Sequence, residues 1–176
     1  MSDVRERMPK KSVRVVIVED HEPTAYLVEK AFRERSSNVE WDLCFAKDGE
    51  EALDCLFLRG KHASAPLPEL ILLDWNLPKV SGLEVLRTLK SSDELKTIPV
   101  FVFSASEADL DVQTAYESHA NGYIPKPSDM GQLFAVIDAI EAFWVMTVRL
   151  HKLPKHGPLD QASLKSPSIP SSVVPE

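Results

Sequence analysis

The segment that most constrains this chain is Ile71-Leu72-Leu73-Asp74-Trp75-Asn76-Leu77-Pro78. Consecutive aliphatic residues read as a strand buried on both faces, the mark of a parallel sheet covered by helices. The run stops at a carboxylate, and Pro78 blocks further pairing. Asp74 is therefore expected at the carboxyl end of a central strand, the edge where open α/β sheets bind ligands. A carboxylate there is either a helix cap or a chemical group, and the other strand ends decide which.

Those ends follow from the rest of the chain. Val13 to Val18 is a β-branched run ending at Glu19-Asp20. Pro23 suits the first turn of a helix to about Arg35, with Leu27, Val28, Ala31 and Phe32 as its core face. Val39 to Ala46 reads as a second strand. Asp48 and Glu51 form a capping box for a helix with a Leu53, Leu56 and Phe57 stripe. Lys61 to Glu69 is a long loop. After the central strand, Ser81 and Glu84 make a second capping box, followed by Leu83, Leu86 and Leu89 at helical spacing. Val100 to Phe103 is a fourth strand ending at Ser104. Ser106 and Asp109 are expected to cap a fourth helix to about Ser118, weakly held through Val112, Ala115 and Tyr116. Gly122 to Pro125 is a short fifth strand ending at Lys126-Pro127. The last helix is expected from Asp129 to about Leu150, with Leu133, Ile137, Ile140 and Trp144 in one stripe. Phe134, Phe143, Val145 and Met146 lie off it. Five strands alternating with helices imply a doubly wound α/β fold: a five-stranded parallel sheet with helices on both faces and right-handed crossovers.

The expected organisation is a mobile leader (1–12), one domain (13–153) and a disordered Pro/Ser-rich tail (154–176), whose composition cannot bury a core. No uncharged apolar run approaches the roughly 18 residues of a membrane span. The polar Met1 to Ser12 carries no signal-peptide core, so a cytoplasmic location is expected. A formal charge of -7 argues against nucleic acid as a partner, since phosphates would be repelled. The two cysteines, Cys44 and Cys55, lie in apolar patterns outside any CxxC pair. They read as buried, inert thiols, with a redox pair as the alternative.

Past the strand ends stand Glu19 and Asp20, then Asp74, Ser104 and Lys126. Three carboxylates, a hydroxyl and an amine would converge on one edge of the sheet. Clustered carboxylates raise one another's pKa values, and a hard divalent cation such as Mg²⁺ removes the problem. A small anion, phosphate above all, would be held between cation, ammonium and hydroxyl. A carboxylate facing a phosphoryl donor can then act as a nucleophile.

Val18-Glu19-Asp20-His21, Leu73-Asp74-Trp75-Asn76-Leu77-Pro78, Ser104-Ala105 and Tyr123-Ile124-Pro125-Lys126-Pro127, in that order and spacing, resemble the receiver domain of two-component response regulators. The resemblance runs from about Val13 to Leu150. It implies a flavodoxin-like strand order 2-1-3-4-5. It further implies that Asp74 accepts a phosphoryl group from a sensor histidine kinase or a phosphotransfer protein. Asp20 and Asp74, with the backbone carbonyl of Asn76, would ligate Mg²⁺, and Glu19 would act mainly through water. Lys126 would pair with the phosphoryl oxygens or the acceptor. Ser104 would move to bond the phosphoryl group and Tyr123 would swing in behind it. Ser stands at 104 where many members have Thr, which keeps the hydroxyl. Water would later hydrolyse the acyl phosphate, so at most slow self-dephosphorylation is expected rather than enzymatic turnover.

With no output domain expected after the receiver, the chain looks like the stand-alone, single-domain type. The long loop before the third strand and the Glu141 to Arg149 ending are similar to regulators that partner bacterial phytochromes. The apolar surplus at Phe143, Val145 and Met146 reads as a homodimer or partner face shared with the fourth helix and fifth strand, or else as plain core. Two other functions compete. An aspartate-nucleophile phosphohydrolase shares the acyl-phosphate step, but its motif would put an acid where Asn76 stands. A phosphorylation-independent scaffold would not need the full set of acids, hydroxyl and lysine.

Overall fold

The computed structural model describes residues 11–35 and 39–147. Its strands are β1 (Lys11–Val18), β2 (Val39–Ala46), β3 (Leu70–Leu73), β4 (Val100–Ser104) and β5 (Gly122–Pro125). The helices are α1 (Glu22–Arg35), α2 (Gly49–Leu56), α3 (Gly82–Ser91), α4 (Asp109–Glu117) and α5 (Met130–Ala139). All strand pairs are parallel, in the order β2-β1-β3-β4-β5. The doubly wound, flavodoxin-like arrangement expected from the sequence is therefore the one observed.

Period-two alternation along the strands builds two cores from one sheet. Val16, Val18, Ile71, Leu73, Val100 and Val102 face α2 and α3, meeting Leu56, Leu86 and Leu89. Val13, Val15, Ile17, Leu70, Leu72 and Phe101 face α1 and α5, meeting Phe32 and Ile137. Leu70 to Leu73 are all buried, as an interior parallel strand requires. The chain runs outward in opposite directions from β1 and β3, so the crevice between their carboxyl ends is the topological switch point.

Several expectations need correcting. β1 begins at Lys11, so the last two residues of the expected leader belong to the sheet, paired with Val39 and Glu40. Leu27 is 40% exposed, and the buried face of α1 is Val28, Ala31 and Phe32. The Ser81–Glu84 capping box is complete. The one at α2 is not: Asp48 accepts from the Glu51 N–H, but the Glu51 carboxylate accepts from Lys47 N instead. The N-cap of α4 is Ala108 with no side-chain bond, because the Ser106 hydroxyl is turned to Asp111.

The largest correction concerns the last helix. After Ala139 it continues as a π-helix, Ile140–Thr147. A π-helix bonds each N–H to the carbonyl five residues back rather than four, which widens the turn. Ile140 is therefore followed in the core by Val145, which is 4% exposed, while Trp144 is only half-buried against Phe101. For Val145 this is the plain-core alternative rather than an exposed face. Phe143 and Met146 remain on the surface, 56% and 58% exposed. The Met130–Thr147 stretch is long and apolar enough by length and composition to cross a membrane. Here it lays Leu133, Ile137, Ile140 and Val145 into the core. Lys11 Nζ donates to the Val145 carbonyl at 2.8 Å, tying the start of β1 to this segment. The expected residues 1–10 of the leader, 148–150 of the last helix, Arg149 of the phytochrome-like ending, residues up to 153 and the tail (154–176) lie outside the described residues.

Candidate functional site

Register places the acids. Val18 pairs with Leu73, so Glu19 and Asp74 leave the sheet side by side. Asp74 N donates to the Val18 carbonyl at 2.9 Å and Glu19 N to the Ala46 carbonyl at 3.0 Å, which extends the ladder by one residue at each strand end. Both acids are buried, and Asp20 is exposed. Carboxylate oxygens of Glu19, Asp20 and Asp74 lie within 4.8 Å of one another.

Lys126 enters this cluster from the other side of β4. Ser104 pairs with Pro125, and Lys126 N donates to the Ser104 carbonyl at 2.8 Å. The lysine stem then carries Nζ to 2.7 Å from Asp74 Oδ2 and 2.7 Å from Glu19 Oε2. Its ammonium lies 5.8 Å from the centre of the Phe103 ring. Burial works against a charged Lys126, yet its bonds to Asp74 and Glu19 win and hold its pKa above the ordinary lysine value. Burial also pushes the Glu19 carboxyl up, against the pull of Lys126.

The cluster suits a hard cation. Three carboxylates face one ammonium, so the cluster keeps an excess of negative charge that Lys126 alone does not balance. Glu19, Asp20 and Asp74 could hold a divalent metal through oxygen ligands, leaving positions for water. An adjoining cleft is lined by Glu19, Asp20, Glu22, Tyr26 and Lys47.

The other expected site residues lie around this cluster. Asn76 N donates to Asp74 Oδ1 at 3.2 Å, and the Asn76 residue is exposed. Ser104 is buried, with its Oγ accepting from Ser106 N at 3.1 Å. Among the described residues no hydrogen bond joins Ser104 to Asp74. Tyr123 is half-buried, donates to the Ser106 carbonyl at 2.8 Å and meets Trp75 edge-on at 6.5 Å. The loop after β4 is thus tied to Tyr123 on one side and to Ser104 on the other. His21 lies outside the cluster, bonded to Thr24 at 2.8 Å, as a loop residue would be.

Two supporting residues escaped sequence reasoning. Lys79, at φ 65°, donates to Asp48 at 2.8 Å and pairs with Glu50 at 3.1 Å, pinning the loop after Asp74 to the start of α2. No motif announced it. Gly82 lets α3 begin directly behind the end of β3: a Cβ there would lie 2.2 Å from the Asp74 carbonyl oxygen. The glycine after Ser81 was visible, but the close approach that demands it was not.

The family profile described as the response regulator receiver domain matches residues 15–138. The chain is 39% identical over 136 residues to response regulator Rcp1 of Synechocystis sp., covering 77% of this chain and 91% of that one. The crystal structure of the Mn²⁺-bound form of Rcp1 superimposes with a TM-score of 0.73 at 37% identity, over 79% of this chain and 99% of that one. The phosphorylated cyanobacterial phytochrome response regulator RcpA gives a TM-score of 0.74 at 40% identity, over 79% and 98% of the respective chains.

Proposed function

The chain belongs to the response regulator receiver family, and from that premise we propose that it is a phosphorylation-switched regulator whose acceptor is Asp74. The family makes it a signalling domain of a phosphorelay, with at most slow self-dephosphorylation. The observation that carries the assignment of the acceptor is the Lys126 ammonium held 2.7 Å from Asp74 Oδ2 and from Glu19 Oε2, a fixed cation beside a buried carboxylate at the switch point.

In the proposed reaction, an Asp74 carboxylate oxygen attacks the phosphorus of a phosphohistidine. The P–N bond breaks, the donor imidazole leaves with its electron pair, and an acyl phosphate forms. Lys126 stabilises charge spread over the phosphoryl oxygens. Glu19, Asp20 and Asp74, with the Asn76 carbonyl, are the residues that would hold Mg²⁺, which when bound supplies charge neutralisation for the incoming phosphoryl group. That Rcp1 has a Mn²⁺-bound form supports a divalent cation in this chain too.

Ser104 and Tyr123 form the proposed switch. A phosphoryl oxygen on Asp74 would accept from the Ser104 hydroxyl, drawing toward it the Oγ that now accepts from Ser106 N. Movement of that loop would carry away the Ser106 carbonyl, freeing the Tyr123 hydroxyl. Phosphorylation then biases the α4–β5–α5 surface between two states. The donor is proposed to be a sensor histidine kinase of bacteriophytochrome type or its phosphotransfer partner, acting in the cytoplasm. The likeness to RcpA supports this choice. Homodimerisation is proposed through exposed Phe143 and Met146.

The test is labelling with acetyl phosphate and Mg²⁺. The wild-type chain should gain one acid-stable, hydroxylamine-labile phosphoryl group, and Asp74→Asn should gain none. Equal labelling of the variant overturns the assignment.

A further inference from the structure

Away from the acid cluster, a second set of metal-ligating side chains comes together. Cys44 on β2 and Cys55 on α2 have their Sγ atoms 3.4 Å apart. Both are free thiols. His62, at the end of the short 3-10 turn Gly60–His62 that follows α2, completes the group. Ligand atoms of the three side chains all lie within 4.8 Å of one another. His62 Nε2 is buried with no hydrogen-bond partner. A ring nitrogen so placed is costly unless something accepts from it or binds to it.

Two sulfurs and an imidazole are the donor set of a borderline-soft cation, whereas Mg²⁺ prefers oxygen. At usual bond lengths, tetrahedral zinc sets its sulfur and nitrogen ligands roughly 3.5–3.8 Å apart. The sulfur pair is already close to that spacing. His62 sits on a turn and has only a small distance to close. We propose that Cys44, Cys55 and His62 form a zinc site that goes beyond the phosphoryl-transfer reading, with water in the fourth position.

The charge balance is favourable. On binding, both thiols release their protons to solvent, and two thiolates neutralise the dication. The nearby ions are engaged elsewhere: Arg14 pairs with Asp42 at 2.6 Å, and Glu51 with Lys61 at 2.6 Å. Cys44 and His62 are half-buried, so an ion has a way in. A bound ion would clamp the long loop before β3 to β2 and α2.

The test uses the full chain, reduced, stripped by chelator and kept in excess Mg²⁺, so that the carboxylates hold a hard ion. Co²⁺ is titrated as the optical probe. The site predicts strong visible bands of tetrahedral cobalt and a thiolate-to-cobalt charge-transfer band, saturating at one equivalent and bleached by Zn²⁺. Zn²⁺ should also protect both thiols of the wild-type chain from a disulfide reagent, a readout that needs no variant. His62→Gln should weaken binding by at least about tenfold, and Cys44→Ser should diminish the charge-transfer band, each with unchanged far-ultraviolet circular dichroism. Weak octahedral bands alone, thiols unprotected by Zn²⁺, or unaltered binding in both variants would overturn the site. None of these results bears on whether Asp74 is phosphorylated, so the two proposals fail separately.

Discussion

Lys126 Nζ lies 2.7 Å from Asp74 Oδ2, although β5 and β3 are not neighbours. β4 runs between them, and the lysine reaches across its end, where Ser104 holds the Lys126 N–H. The contact therefore depends on three strand ends being level. Removing one partner of such a pair leaves the other charges uncompensated. Lys126→Met should cost about 3 kcal/mol in a chelated buffer. Mg²⁺ should restore more stability to this variant than to the wild type. Thermal unfolding with and without Mg²⁺ checks both expectations, and an equal Mg²⁺ effect on the two proteins counts against a shared cation position.

The titration of Glu19 has a definite sign. Burial raises its pKa above the ordinary 4.5 against the pull of Lys126, so folding without metal makes the carboxylate harder to ionise than in the unfolded chain. Its contribution to stability is full below 4.5 and is lost as pH rises through the raised value. Without Mg²⁺, Glu19→Gln should gain on the wild type as pH rises from 4.5 through the raised value. With Mg²⁺ the margin should shrink, because the cation favours the charged carboxylate. Lys126, also raised, should contribute below 10.5 and lose that contribution as pH rises through its folded value. Denaturation measured across pH, with Mg²⁺ and with chelator, separates these effects.

Much of this was legible in the chain. The aliphatic runs before Glu19, Asp74 and Ser104 marked strands that end in polar groups, and a parallel sheet brings such ends to one edge. What the sequence hid was of longer range or of irregular geometry. Lys79 meets Asp48 only because two loops cross at the sheet edge. An α-helical period leaves Val145 open to either a surface or a core reading, and the wider π-helical turn brings it inward. The α4 cap was misplaced because the Ser106 hydroxyl had a better partner in Asp111. His62 gave no signal, since only the fold of the loop brings it to the cysteines.

Tyr123 and the loop after β4 share one bond, from the phenol to the Ser106 carbonyl. Tyr123→Phe should cost about 1 kcal/mol, the usual net value of such a bond. It should leave acetyl phosphate labelling intact while weakening the change that phosphorylation makes at α4 and β5. Hydrogen exchange of 104–117, compared with and without beryllofluoride, reads that change. A response as large as that of the wild type would remove Tyr123 from the switch.

The corrected helix separates packing from association. Val145→Ala should lose about 2 kcal/mol of stability, as expected for a buried valine, and should still dimerise under folding conditions. Phe143→Ser, at an exposed position, should change stability by less than about 0.5 kcal/mol and shift the chain toward monomer. Sedimentation at high micromolar concentration, together with denaturant titration, distinguishes the two. An unchanged oligomeric state in Phe143→Ser would move the interface elsewhere.

The most direct measurement of the central claim is chemical mapping of the phosphoryl group. After labelling with acetyl phosphate and Mg²⁺, borohydride reduces an aspartyl phosphate to homoserine, which peptide mass analysis locates by residue. Homoserine at position 74, and at no other carboxylate of the cluster, is the predicted result. Homoserine at position 20 or 48, the one-carbon-longer 2-amino-5-hydroxypentanoic acid at position 19, or no conversion in a chain that carries the label, would contradict the account.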